Sequence, residues 1–168
     1  MALKQSSSVI VIGAQVVESG ANTFTQARID LQLNPLDNEV FVVQAINLDL
    51  QPPEAIAATD TSVRTSLTTT SQTAMPSLSS SVTLAQSEMV IRAAGFVDGG
   101  VGFQQHSMDT PPTGLDYIGI IATNDFFLQI QGGGNALAKL ANCKVYGYRA
   151  KADAATYAAL VQSEVLSA

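Results

Sequence analysis

The sequence predicts an all-β protein, a sandwich or barrel of about eight short strands that ends in one amphipathic helix. The first observation is the strict alternation at residues 25–33, where apolar and polar side chains fall on opposite faces of an extended chain. The apolar face is Ala27, Ile29, Leu31 and Leu33, and the polar face is Gln26, Arg28, Asp30 and Gln32. The second is that turn-forming residues separate similar runs along the chain. The third is that no β-α-β alternation and no long internal repeat interrupt them.

The first half of the chain predicts strands at residues 9–17, 24–33 and 39–50. In the third of these, apolar residues occupy both faces, as where Val40 and Val42 alternate with Phe41 and Val43. A strand of this kind is expected at the centre of a sheet, covered on both sides. The prolines at 52 and 53 end it, because proline cannot donate to a strand ladder.

Residues 59–83 are rich in Ser and Thr, a composition compatible with a disordered linker. The alternation of Val63, Thr65 and Leu67 with polar neighbours instead favours one exposed strand, followed by a loop around residues 74–77. A further strand is predicted at residues 82–92, with a break or bulge near residues 86–87.

Glycine and proline concentrate at residues 95–114, which we expect to be the longest irregular segment and a functional or interfacial one. Strands resume at residues 115–122, 126–131 and 141–149. A tight hairpin turn is predicted at residues 123–125, and a turn that needs positive φ at the glycines 132–134.

The C-terminal segment predicts a helix of about 12 residues. Asp153 can accept hydrogen bonds from free backbone N–H groups at the helix start. Apolar residues then recur at helical spacing: Tyr157, Leu160, Val161 and Val165. This helix should cover a hydrophobic seam or dock on a neighbouring subunit. We therefore expect one domain over residues 1–168, with an N-terminal arm at 1–8 and a helix at 152–166.

Charge is scarce, since only 13% of the residues are charged where roughly a quarter is usual. Such a surface is either small and solvated by Ser, Thr and Gln, or covered by copies of the chain or by partners, and we favour the covered surface. The net charge of −6 and the scattered basic residues argue against nucleic-acid binding. No apolar run reaches the roughly 18 residues of a membrane span. The apolar segment near the start loosely imitates a secretory signal, but Gln15 interrupts it, so we interpret it as the first strand.

The residue types of common active sites are nearly missing, and we expect no enzyme activity, no metal and no cofactor. His106 is the only histidine, and we interpret it as a solvated loop residue, with a subunit-interface role as the alternative. Cys143 is the only cysteine and should be a small core residue. Tyr146 and Tyr148 share one strand face and could form a binding stripe, although a core position is favoured. Four carboxylates near turns are interpreted as turn and capping residues, since their spacing matches no calcium loop: Asp98, Asp109, Asp116 and Asp125.

Residues 123–130 and 144–149 resemble the closing strands of a virion jelly-roll protein, and the order of elements is similar to that of the single jelly-roll capsid proteins of tailless viruses. The resemblance covers most of the chain in architecture and rests on no diagnostic motif. It implies an eight-stranded antiparallel jelly-roll sandwich that assembles into a shell within the virion. The chain departs from many small RNA-containing shells because it has no basic arm, which fits a shell separated from the genome by a membrane or another protein layer.

The resemblance implies copies of the same chain as partners, with other virion proteins or an internal membrane as further candidates. Direct nucleic-acid binding is not expected. The expected contact regions are residues 95–114, residues 153–165 and the arm at 1–8. The candidate contact residues are Phe103, His106, Tyr157, Leu160, Val161 and Val165. Two alternatives are an extracellular adhesin or fibre subunit, and a glycan-binding or hydrolytic β-sandwich.

Overall fold

The computed structural model describes residues 3–97, 100–106 and 115–167. Strands dominate this part of the chain, and one α-helix follows them. The elements are β1 (Leu3–Gln5), β2 (Ile10–Val17), β3 (Thr25–Asp30), a short 3₁₀ helix (Pro35–Asp37), β4 (Glu39–Leu50), β5 (Thr61–Thr68), β6 (Thr83–Arg92), β7 (Val101–His106), β8 (Gly119–Ile121), β9 (Asp125–Gly133), β10 (Leu140–Ala152) and α1 (Ala154–Leu166).

These strands form two antiparallel sheets that pack face to face as a sandwich. The first sheet has the order β2-β10-β4-β8, and β1 continues the β2 edge along the far end of β10. The second sheet has the order β3-β9-β5-β6-β7. With β1 and β7 set aside, the remaining eight strands have the interleaved connections of a jelly roll. The predicted all-β fold with a C-terminal helix is therefore confirmed, and β1 and β7 extend the predicted eight strands.

The main core lies between the two sheets and is built from the inward faces of their strands. Phe41 of β4 and Phe126 of β9 are its largest fully buried side chains. Cys143 of β10 belongs to this core, as predicted, and burial raises the pKa of its thiol to about 11.

A second, smaller core lies on the outer face of the first sheet, beneath α1. Val40 and Val42 of β4 and Ala150 of β10 are buried there against the apolar side of the helix. This arrangement explains why β4 is apolar on both faces, because one face meets the opposite sheet and the other meets α1. Asp153 caps the helix as predicted, accepting a hydrogen bond of 2.8 Å from Thr156 N–H.

The Ser/Thr-rich segment forms β5, and the prediction that this strand is exposed is wrong. β5 lies in the middle of the second sheet, between β9 and β6, and Val63, Thr65 and Leu67 are fully buried. Burial of the threonines is possible because their hydroxyls find partners. Thr65 donates to the Gln129 carbonyl at 2.7 Å, and Thr68 donates to the Thr70 carbonyl at 2.7 Å.

Other expected boundaries also move. In the pairing of β5 with β6, Leu67 lies opposite Ala85 and the next residue, Thr68, lies opposite Thr83. The bulge is therefore at Leu84 and not at residues 86–87. The predicted hairpin turn at 123–125 joins β8 and β9, which belong to different sheets. Of the three glycines at 132–134, only Gly134 has a positive φ, at 70°. The segment predicted as irregular at 95–114 contains β7, and its residues 98–99 and 107–114, including Asp98 and Asp109, lie outside the described residues.

At one end of the sandwich, hydrogen bonds made by side chains connect three loops. Buried Glu18 accepts hydrogen bonds from the N–H groups of Gly132 and Lys139, at 2.6 and 2.8 Å. Asn135 exchanges hydrogen bonds with Asn22 and also accepts from Glu54 N–H. The loops after β2, β4 and β9 are therefore fixed to one another.

Candidate assembly surface

Strand β7 forms one edge of the second sheet and pairs only with β6 among the described strands. Phe103, which is 57% exposed, lies opposite Val90, and Val101, about half exposed, lies opposite Arg92. These residues occupy the outer face of the sheet. The described β7 residues carry neither a lysine nor a proline, which are common devices against pairing at a sheet edge.

The loop between β6 and β7 adds two exposed apolar residues, Phe96 and Val97. Asp60 fixes the start of this loop by accepting hydrogen bonds from Ala93 N–H and Ala94 N–H, at 2.8 and 2.9 Å. The N–H groups of Ala94 and Ala93 hold the pKa of this carboxyl below its usual range, and Arg92 contributes in the same direction. We call the exposed set Phe96, Val97, Val101 and Phe103 the β7 surface.

The other end of the loop is equally constrained. A Cβ atom at Gly100 would lie 2.5 Å from the carbonyl oxygen of Arg92, so only glycine allows the chain to return this close to β6. The β7 surface is thus presented by an anchored hairpin.

Two of the predicted contact residues belong to this hairpin. Phe103 is part of the β7 surface. His106 was expected in an irregular loop, but its backbone ends β7 opposite Ser87, so the loop placement is wrong. The side chain of His106 lies outside the described part of the molecule.

The predicted contact residues of the helix divide into two groups. Tyr157, Leu160 and Val161 are partly buried against the second core of their own chain, whereas Val165 is exposed. The helix therefore covers a hydrophobic seam, the first of the two roles expected for it. Glu164 strengthens this docking by accepting hydrogen bonds from Ala122 N–H and Thr123 N–H, at 2.8 and 3.0 Å.

The N-terminal arm lies on its own chain. Its β1 residues Leu3–Gln5 pair with the last residues of β10, and Ser6 N–H donates to the Arg149 carbonyl at 2.8 Å. Met1 and Ala2 are outside the described residues.

The polar face of residues 26–32 could meet water or a neighbouring copy, and part of it contacts other segments of its own chain, although Arg28 and Asp30 stay mostly exposed. Gln26 hydrogen-bonds to Ser71 and to Gln72 N–H, both in the loop that follows β5. Arg28 forms ion pairs with Asp30 and Asp125, at 3.0 and 2.9 Å. The sequence could not reveal these partners, because they come from distant segments.

The described residues contain no group of three or more His, Cys, Asp or Glu side chains placed to hold a metal ion. A hollow beneath the loop at 75–78 is lined by the Arg64–Glu88 ion pair, whose atoms are 3.0 Å apart, and by no aromatic residue. Tyr146 and Tyr148 lie half-buried on the outer face of the first sheet. No described helix has the length and apolar character needed to cross a bilayer.

Comparison with known proteins adds no family assignment: the sequence matches no protein-family model, and no curated protein or solved structure shows significant similarity to it.

Proposed function

We propose that this chain is a viral structural protein that self-assembles into a capsid shell and resides in the virion. The observation that carries the proposal is the β7 surface, an exposed apolar edge held on the rigid frame of a jelly roll. Viral capsid domains use this fold, as do lectin domains and cupins, so the fold alone does not select among them.

The surface chemistry favours assembly over small-molecule binding. Exposed apolar residues that cluster at an edge are typical of protein interaction sites. A cupin would require several histidines, and this chain has one. A glycan-binding sandwich would favour exposed aromatic residues above a concave face, whereas the exposed Phe96 and Phe103 lie on a hairpin at the sheet edge.

Rigidity is the second property that supports the proposal. Shell geometry depends on subunits that keep their shape. Here hydrogen bonds connect the loops that follow β2, β4 and β9, through the side chains of Glu18, Asn22, Glu54 and Asn135.

The distribution of charge favours a shell that lies away from the genome. Five of the eight basic residues already form ion pairs within the chain, namely Arg28, Arg64, Arg92, Arg149 and Lys151. Lys139 is buried, which leaves Lys4 and Lys144 as the exposed cations without an ion pair in the described part of the chain. Because phosphate contact needs clustered free cations, an internal membrane or another virion protein is the proposed inner partner.

The test is assembly of the purified protein, followed by electron microscopy and light scattering. Phe103→Asp should raise the concentration needed for assembly at least about tenfold, because it removes more than half of the roughly 1.5–3 kcal/mol that full burial of a Phe side chain contributes and adds the cost of burying a charge. Leu36→Asp is the matched control, since Leu36 is 93% exposed on the 3₁₀ helix and outside the β7 surface. Closed particles from the unmodified protein and the control, but not from Phe103→Asp, are expected.

Other results would contradict the proposal. Monodisperse monomers at high concentration would exclude self-assembly, and filaments would support the adhesin or fibre alternative. A monomer whose melting temperature rises with added sugars would support a glycan-binding module.

A further inference from the structure

A second edge of the molecule, β2, has an unusual combination of length and composition. It pairs with β10 along all eight of its residues without a register shift, and no described strand pairs with its other side. Half of its backbone N–H and C=O groups therefore point outward along an open edge.

Two other edge strands of the sandwich, β3 and β8, carry protection that β2 lacks. Edge strand β3 holds the charged Arg28 and Asp30, and β8 is only three residues long. By contrast, β2 contains no charged residue, no proline and no bulge. Charge, proline, bulges and shortness are the usual means of preventing edge pairing, and their absence marks β2 as a strand that another strand can join.

The outward face of β2 carries a valine near each end, with a glycine and a glutamine between them. Val11 and Val17 are 52% and 51% exposed, and Gly13 and Gln15 lie between them on the same face. The opposite face turns toward the main core, where Ile10 and Ile12 pack.

We propose that two copies of this chain join through antiparallel pairing of their β2 strands across a twofold axis, with Ala14 opposite the partner's Ala14. In this register Val11 lies opposite the partner's Val17. Gln15 lies opposite the partner's Gly13, so the longest side chain of the face meets the residue without one. Ile12 lies opposite the partner's Val16 on the inner face. The pattern is self-complementary, as a twofold interface requires.

Neighbouring registers lack this match. A shift by one residue would set an outward side chain opposite an inward one. Pairing centred on Gly13 would set Val11 opposite the partner's Gln15.

A hollow beside Gly13 provides space for the partner. It has a volume of about 460 Å³, and Asn47, Asn142 and Lys144 are among the residues that line it. Within one copy the Gln15 amide donates to the side-chain oxygen of Asn142 at 2.8 Å, and it would leave that bond to reach the partner's hollow. Lys144 lies beside Gly13 in the strand register and forms no ion pair in the described chain. It is therefore placed to donate a hydrogen bond to the side-chain amide of the partner's Gln15.

The contact area sets the expected strength. An eight-residue strand is about 26 Å long and a two-sheet sandwich with its side chains is about 20 Å deep. The edge therefore covers about 500 Å² per copy, or about 1,000 Å² in total, the lower limit for a specific interface. The pair alone should thus be weak and concentration-dependent. Each copy has a net charge of −6, whereas β2 is uncharged and β3, the facing strand at this edge, carries one charge of each sign, Arg28 and Asp30. The edge therefore has no net charge of its own to add to the repulsion between two copies.

The inference rests on the proposed self-assembly for its biological role, but the pair itself does not require a shell. It should therefore be measured by sedimentation equilibrium with Phe103→Asp present in every sample to limit larger assemblies. Val11→Asp and Val17→Lys should each weaken the dimer at least about tenfold, since each buries one unpaired charge opposite valine. Combined, they should restore the affinity to within about threefold, because the two introduced charges face each other only between copies.

The control is Val11→Asp with Val9→Lys, which has the same net charge but no facing partner in this register, and it should not restore the dimer. Val9, Val11 and Val17 are all exposed, so thermal unfolding of each variant should match the parent. A parent that stays monomeric to about 1 mM, a dimer that survives both single changes, or a combined variant that stays monomeric would each overturn the pairing. Particles without β2-dependent dimers would overturn only this inference, and β2-dependent dimers without particles would overturn only the proposed shell.

Discussion

Replacing Glu18 by alanine tests how the loop end of the sandwich is held. Glu18 is 4% exposed, and its two carboxylate oxygens accept separately from Gly132 N–H and Lys139 N–H. These donors lie at the two ends of the connection between β9 and β10. Truncation leaves both N–H groups buried without a partner.

The magnitude follows from the number of orphaned groups. An unsatisfied buried donor costs about 1–3 kcal/mol, so two cost about 2–6 kcal/mol. Release of the desolvation cost of the carboxylate offsets part of this, and we expect a net loss of about 2–4 kcal/mol in the free energy of unfolding. For a domain of this size the melting temperature should fall by roughly 4–16 °C.

The assay is urea unfolding of the Glu18→Ala variant beside a matched control, Glu54→Ala. Glu54 also accepts from two backbone N–H groups, those of Ala136 and Leu137, but it is partly exposed, so water can replace it. Glu18→Gln should fall between the parent and Glu18→Ala, because the amide oxygen can accept one of the two bonds. The reasoning is refuted if Glu18→Ala loses no more stability than Glu54→Ala.

Two further predictions concern titratable groups. Burial raises the pKa of the Glu164 carboxyl above its usual value of about 4.5, and the N–H groups of Ala122 and Thr123 only partly oppose this. A carboxyl with a raised folded-state pKa stabilises the fold fully below its unfolded pKa, and this contribution is lost as pH rises through the folded pKa. The unfolding free energy of the parent minus that of Glu164→Gln should therefore fall in urea titrations as the pH rises above the usual pKa of 4.5, and a rise would show that the N–H groups dominate. Cys143, whose pKa is raised to about 11 by burial, should label with a thiol reagent at about pH 8 only as fast as the protein unfolds, and rapid stoichiometric labelling of folded protein would contradict its core position.

The sequence predicted the elements whose signals are local. The bounds of β4 coincide with the predicted strand at 39–50, since its apolar run ends at two prolines. The helix begins after Asp153 as predicted, because a capping residue and helical spacing act within a few residues. The core position of Cys143 also followed from simple alternation.

The elements that depend on distant partners were predicted less well. β5 was expected to be an exposed strand, and only its partners in the fold, such as the carbonyl of Gln129, show how its threonine hydroxyls are satisfied in the interior. β7 was interpreted as loop because Gly100 and Gly102 interrupt its pattern, although the close approach to Arg92 is what requires Gly100. Gln26 could have faced water or another copy, and it binds a loop more than 40 residues away in sequence.

The candidate contact residues show the same division. Helical spacing correctly grouped Tyr157, Leu160 and Val161 on one face, but it could not tell that this face covers the chain's own sheet. The exposure of Phe103 and the open edge of β2 depend on the order of the strands in each sheet, and no local sequence pattern predicts that order.

By itself, the sequence determined the β-rich fold, the terminal helix and the scarcity of reactive groups. Periodicity and capping record the preferences of neighbouring residues, and composition limits the available chemistry. Only the tertiary structure decided which strands are central, which are edges and which apolar faces remain open. The reason is that strand order and burial arise from pairing between segments far apart in the chain, where the hydrogen-bond partner of each polar group is set by the whole fold.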